Sequence, residues 1–307
     1  MVDWGICATL KAPADQVLAF AAHHLALGAH HLWLHFDDPD DPAVDLAASL
    51  PRTTAVRCDE TYWQATVGRR PEKHQNRQAR NIQRVCAQTG LPWVAHLDVD
   101  EFLVASRPVS DCLARLPPDR MMLRIAPWEA LHDPGLPDDV FTARHFRAAL
   151  RGPSLAAARA RLFGPYAPLL PDGVLSHAAG KCFFRTGVRR LEPRIHGAFY
   201  ARARLPGGDF DPDLALLHFH AQDPARWLAS LPFRLTRGAY QFNPPLQQFL
   251  ATADTESRAA FYARVQHASP DTLAILADLG ILRAELLTLR ARIAALTALR
   301  PPAPRPS

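Results

Sequence analysis

The first hundred residues constrain this chain most, because segments of strand and helix character alternate there without a break. Val2, Trp4, Ile6 and Ala8 recur with period two, so 2–10 reads as a strand with one apolar face. Pro13 suits the first turn of a helix running through Val17, Phe20, Ala21 and Leu25 to a stop at Gly28. The apolar run 31–36 reads as a buried strand that enters a loop at Asp37-Asp38-Pro39. A short helix over 43–50, a β-branched strand over 53–58, a helix over 73–88 and a strand over 93–97 complete the series. The order βαβαβαβ predicts an α/β fold, a mostly parallel sheet flanked by helices. Ligands of such sheets sit outside the carboxyl ends of the strands. The Thr9–Lys11 turn, the Asp37-Asp38 loop and the Asp98–Glu101 turn are therefore expected on one rim.

The second half is punctuated by proline at 117–118, 134, 165 and 206, and its pattern assigns no fold. An exposed helix is read over 154–162 and a buried strand over 214–220. Ile275, Leu279, Leu282, Leu286, Leu289, Ile293 and Leu296 alternate spacings of four and three, a heptad seam that either packs on its own domain or forms a weak dimer. The expected division is a domain over 1–230, a helical C-terminal extension over 231–300 and a disordered tail over 301–307.

A length of 307 residues with 48% apolar content is enough for a large core. The formal charge of +5 is mild, and its basic residues are spread along the chain, which suits a small anionic substrate and argues against nucleic acid. Only three of the 35 basic residues are lysine, namely Lys11, Lys73 and Lys181. Arginine has replaced lysine elsewhere, so the three survivors are read as positions that need a compact ammonium, or as chance remnants. Cys7, Cys58, Cys86, Cys112 and Cys182 are odd in number and contain no CxxC, which points away from zinc ribbons and disulfide frameworks. No basic leader and no spanning run of ~20 apolar residues is present, so a cytoplasmic protein is expected.

Asp98-Val99-Asp100 is the sharpest chemical feature. Two acidic residues one apart, at the end of an apolar strand, can present carboxylates to one hard cation together with ligand phosphates. Such a cation would neutralise charge on a departing diphosphate. The bland alternative is a solvated acidic turn. The apolar strand before it and Glu101-Phe102-Leu103 after it half-bury the turn, where unpaired carboxylates are costly.

The chain here resembles the bacterial glycosyltransferase family 2-like proteins, whose hallmark is a strand ending in D-x-D-E-F, in this sequence Asp98-Val99-Asp100-Glu101-Phe102. The resemblance extends through His23–Ala29, Glu72–Gln75, Gly180-Lys181, Leu217–His220 and Trp227. It implies a GT-A-like enzyme, hexosyltransferase-like and inverting. The implied donor is a nucleotide sugar, the cofactor Mn²⁺ or Mg²⁺, and the acceptor a hydroxyl of a polysaccharide or cell-envelope glycan. By the same resemblance Asp98 reaches the ribose or a metal-bound water and Asp100 ligates the metal. The chain departs from its relatives after the first strand, where an acidic residue is common and Thr9-Leu10-Lys11-Ala12 stands instead. Lys11 is then expected to meet a phosphate.

Further donor contacts are expected from Thr9 and Asp37 on the rim. Lys73, Gln75 and Arg80 would join them from a helix start, whose free N–H groups favour an anion. A solvated polar first turn is the alternative. Lys181, after Gly180, is expected to grip donor phosphate. His218 and His220 lie two apart, on one face of a strand, and one of them is expected to complete the metal shell or cap the leaving group. Burial against a backbone carbonyl is the alternative. Glu101, beside Asp100 in the catalytic turn, is the first candidate for the general base, ahead of Glu129 and Asp133, although it would serve equally as a brace for the turn. Two rival readings stay open: a D-x-D phosphatase or phosphotransferase, and a non-catalytic sugar-binding protein on the same fold.

Overall fold

The computed structural model describes residues 2–152 and 155–298. In chain order these form β1 (Trp4–Leu10), α1 (Ala14–Ala26), β2 (His31–Phe36), α2 (Ala43–Ala48), β3 (Thr53–Arg57), α3 (Glu60–Val67), α4 (His74–Gln88) and β4 (Trp93–His96). There follow β5 (Glu101–Ala105), α5 (Val109–Ala114), β6 (Met122–Ala130), β7 (His145–Ala148), α6 (Leu155–Phe163), β8 (Lys181–Arg185), β9 (Leu191–Arg194), β10 (Gly197–Tyr200), β11 (Ala203–Arg204) and β12 (Phe210–His218). The last elements are α7 (Pro224–Thr236), α8 (Pro244–Thr252), α9 (Thr255–Gln266), α10 (Pro270–Asp278), β13 (Leu282–Ala284) and α11 (Leu289–Ala298).

Two compact units emerge. One comprises the described residues of 1–126, 180–216 and 288–307, the other those of 127–179 and 217–287. Both are discontinuous in sequence. The tail 301–307 lies outside the described residues.

In the first unit the strands run β6-β8-β4-β1-β2-β3. The pairs β4-β1, β1-β2 and β2-β3 are parallel, and β8 adds antiparallel to β4 and to β6. The α/β expectation holds, and each predicted element of the first hundred residues appears within three residues of its expected bounds. Side-chain alternation explains why both faces need helices. Trp4, Ile6, Ala8 and Leu10 enter one core with Val17 and Phe20 of α1, whereas Cys7 enters another with Ile82, Val85 and Cys86 of α4. Helix α3 is absent from the sequence reading, yet its signals were present. The Asp59 carboxylate accepts from the Tyr62 amide at 2.7 Å, and Gly68 closes the helix at φ +81°.

Helix α1 is latched to β5 by two buried histidines. His24 Nε2 accepts from the Leu103 amide at 3.1 Å while its Nδ1 lies 2.9 Å from the Phe20 carbonyl, so the ring must be neutral with its proton on Nδ1. His23 Nε2 stands 2.6 Å from the Leu103 carbonyl. Burial holds His23 and His35 down to about 4, and His24 well below its ordinary range.

The C-terminal heptad seam does not run as one helix. Helix α10 stops before Gly280, at φ +69°, and β13 then pairs antiparallel with β7 in the second unit. Ile293 and Leu296 of α11 pack against the core of the first unit and Leu289 is wholly buried, the self-packing use of the seam. A heptad spacing counts residues and is blind to the glycine that breaks the register. The helix read from 154 is α6, whose described part begins at Leu155, and the strand read over 214–220 is the end of β12. No helix among the described residues is long and apolar enough to cross a membrane.

Two outcomes are expected. A Cβ at Gly5 in β1 would meet the Trp33 ring at 2.6 Å and the His31 carbonyl at 2.8 Å, so Gly5→Ala should cost about 1–3 kcal/mol in urea denaturation. Below pH ~6.5 the unfolded chain takes up protons that buried His23, His24 and His35 refuse until about 4 or lower. Stability should therefore fall as pH drops from 7 to 5. A urea midpoint that does not move over that range would contradict three histidines buried neutral.

Candidate functional site

The parallel register carries the carboxyl ends of β1, β2 and β3 to one edge, since Leu10 pairs with Phe36 and Phe36 with Arg57. Strand β4 ends beside β1, with His96 opposite Cys7. Thr9, Lys11, Asp37, Asp98 and Asp100 thus share the rim where ligands of such sheets bind.

Helix α4 ties three of these strand ends together with one face. The Arg77 guanidinium donates to both Asp37 oxygens at 2.6 Å, Gln78 Nε2 to Asp98 Oδ1 at 2.6 Å, and Asn81 Nδ2 to Thr9 Oγ1 at 2.7 Å. The helix also buries Ala79, Ile82, Val85 and Cys86, and Asn81 is itself fully buried at the junction. Arg77, Gln78 and Asn81 are the rim contacts that sequence reasoning missed. With His74 they stand at helical spacings of three and four, the signal that would have singled them out. Of the residues expected to act from this helix, Lys73 is the exposed residue before its first turn, Gln75 is half-buried, and Arg80 is exposed and donates to Gln83 at 3.1 Å. Lys11 is 72% exposed and pairs with Asp38 at 3.1 Å, and Asp37 also meets Arg70 at 3.2 Å.

At the end of β4, Lys181 is 1% exposed and its ammonium donates to Asp98 Oδ2 at 2.6 Å. It stands 3.4 Å from Glu101 Oε2. Glu101 is wholly buried, and the same oxygen accepts from the Asp98 amide at 2.8 Å. Burial would raise the Asp98 carboxyl, but the Lys181 charge outweighs it and holds that carboxyl well below the usual carboxylate range. Burial would likewise lower Lys181, and the charges of Asp98 and Glu101 outweigh it and hold the ammonium above the ordinary lysine range. His96, wholly buried beneath, is pushed down to about 3 by burial and then by Lys181, and among the described residues neither of its ring nitrogens has a hydrogen-bond partner. The carbonyl of Gly180, at φ +70°, lies 2.8 Å from His196 Nδ1. Asp98 keeps 31% of its side chain exposed, and Asp100 is half-buried. The turn therefore offers two carboxylates, one neutralised by an ammonium, with a carboxylate brace below.

In the second unit His218 is the last residue of β12 and His220 lies just beyond the strand, with ring centroids 5.3 Å apart. Arg234 lies against the His220 ring and donates to its carbonyl at 2.7 Å, and Tyr240 Oη is 3.2 Å from its Nε2. Burial, then Arg234, holds His220 well below its ordinary range, so this ring already answers to a cation. Glu129 is wholly engaged, accepting from Arg147, Gln266 and the Leu175 and Ser176 amides. Asp133 pairs with His145 at 2.5 Å.

No family model matches this chain, and no curated protein matches it. Among solved structures it is similar to a CMP:2-keto-3-deoxy-manno-octonic acid synthetase complexed with CTP. The identity is 11%, the match covers 97% of this chain and 98% of that one, and the TM-score is 0.29. A likeness at that level assigns neither fold nor chemistry, and the reading of the site rests on its own residues.

Lys181→Ala would leave two carboxylates without their counter-charge, at an expected cost of roughly 3–5 kcal/mol in urea denaturation. Lys181→Arg should not restore stability, because a planar fork replaces a compact ammonium in a side-chain space 1% exposed. Lys11→Arg, at an exposed position, should leave the urea midpoint unchanged.

Proposed function

We propose that this protein is a metal-dependent glycosyltransferase that moves a sugar from a nucleotide-diphosphate donor to a hydroxyl acceptor. The observation that carries the reading is the Asp98–Lys181–Glu101 cluster on the carboxyl rim of a parallel sheet, with its outer carboxylate still about a third exposed.

The residues fit a hard divalent cation of the Mn²⁺ or Mg²⁺ class. Such ions take one or two carboxylates and leave their other positions to water and phosphate oxygens. Asp100 is the proposed ligand. Both oxygens of Asp98 already accept, from Lys181 and Gln78, which suits it to a ribose hydroxyl or a metal-bound water better than to sole ligation. When bound, the cation supplies charge stabilisation to the departing diphosphate.

The chain's own residues supply the rest. Lys181 fixes the Asp98 carboxylate and lends positive charge at the rim, and Glu101 braces the turn through the Asp98 amide, a positioning role for a wholly buried carboxylate. Lys11, paired with Asp38 and mostly exposed, is the proposed phosphate contact at the end of β1. Transfer is read as direct displacement at the anomeric carbon, with the acceptor hydroxyl losing its proton to a base within hydrogen-bond reach.

Calorimetry with UDP and GDP, with and without Mn²⁺, tests the donor site. Metal-dependent binding by the wild type, lost in Asp100→Ala with the thermal midpoint kept, is the expected result. No nucleotide binding, together with phosphate release from a phosphate ester, would replace the reading by a phosphatase. Nucleotide binding with no sugar transfer to any hydroxyl acceptor would leave a binding protein.

A further inference from the structure

The arginines are spread along the chain, but their excess over acids is not. Residues 185–204 hold six arginines and one glutamate, which equals the whole formal charge of +5, so the rest of the chain is balanced. This segment is the three-stranded antiparallel sheet β9-β10-β11 with the residues leading into it.

Two of the six arginines serve locally. Arg185 lies over the Trp93 ring at 4.4 Å and donates to the Arg120 carbonyl, and Arg194 pairs with Glu192. The other four, Arg189, Arg190, Arg202 and Arg204, are exposed, and among the described residues none has an acidic partner. Tyr200 pairs with Leu191 and with Ala203, and the Ala201 amide donates to the Arg190 carbonyl at 3.1 Å. Arg189-Arg190 and the Ala201-Arg202 turn therefore stand at one end of the small sheet, with Tyr200 exposed between them.

The backbone at this tip is spent against its own preference. Ala201 and Arg202 close β10 to β11 as a two-residue turn with φ +53° and +71°. A two-residue hairpin with both residues left-handed is ordinarily Asn-Gly. Arg190 beside it has φ +70°. Two arginines thus occupy positions that glycine would fill without strain, and held strain of this kind is a pointer to function.

We propose that this tip is a docking surface for an anionic phospholipid membrane. Its exposed arginines stand on tight turns at one end of the sheet. The Phe199 ring is already covered by Arg194 at 5.4 Å, leaving Tyr200 as the one exposed ring of this small sheet. Exposed arginines around a single amphipathic ring suit a headgroup layer, where basic residues gain from the surface potential and tyrosine partitions to the interface. The inference stands apart from the proposed transferase activity.

The test is co-sedimentation of the full chain with vesicles of phosphatidylcholine alone and of equimolar phosphatidylcholine and phosphatidylglycerol. The wild type should sediment with the anionic vesicles only, and less as salt rises. Arg190→Gly with Arg202→Gly should weaken that binding about twenty-five-fold, at about fivefold per arginine. The thermal midpoint should stay or rise, because glycine relieves both left-handed positions. Arg189→Gln with Arg204→Gln, which leaves the turn intact, should weaken binding to a similar extent. Absence of sedimentation, binding equal on neutral vesicles, or binding unchanged in both double variants would overturn the proposal. Retention by a single-stranded oligonucleotide without vesicle binding would replace it with a nucleic-acid surface.

Discussion

The ammonium of Lys181, buried between the carboxylates of Asp98 and Glu101, is the interaction on which the rim depends. Strand β4 delivers an acidic turn that has to be half-buried, and carboxylates removed from water are costly unless each finds a charge partner and hydrogen bonds. Glu101 meets this by accepting from the backbone of its own turn, and Lys181 meets it for both carboxylates at once. Because Lys181 comes from β8, paired antiparallel with β4, the charge balance of the turn also fixes the register of that strand. A lysine serves where arginine would not, since a compact point charge fits between two carboxylates in a space closed to solvent.

Around that pair, α4 works as a spacer for the strand ends. Arg77, Gln78 and Asn81 hold the ends of β2, β4 and β1 by one hydrogen-bonded contact set each, while Ala79, Ile82, Val85 and Cys86 of the same helix are buried. The rim is thereby preorganised: its side chains are oriented by partners on a rigid helix before any ligand arrives, which is the condition for a binding site to gain affinity from geometry.

Charge is distributed with the same economy. A balanced α/β body carries its excess within residues 185–204, the small antiparallel sheet and the residues leading into it, with two of the six arginines at positions where arginine is conformationally disfavoured. Composition alone treated +5 as diffuse, because a sum over the chain is blind to where the acids are missing.

The sequence by itself determined the alternating strands and helices of the first hundred residues and the placement of Thr9, Asp37 and Asp98 on one rim. Local periodicity and strand order are enough for that. It also flagged Lys181 through the scarcity of lysine, although the scarcity gave Lys11 and Lys73 equal weight and both are exposed. Only the tertiary structure decided which residues meet. It set Lys181 against Asp98, 83 positions earlier, and turned Arg77, Gln78 and Asn81 toward the rim in place of Lys73 and Arg80. It also broke the C-terminal heptad into the end of α10, the strand β13 and the helix α11. Those outcomes depend on packing between segments distant in sequence, and on a helix phase that spacing proposes but only the buried face fixes.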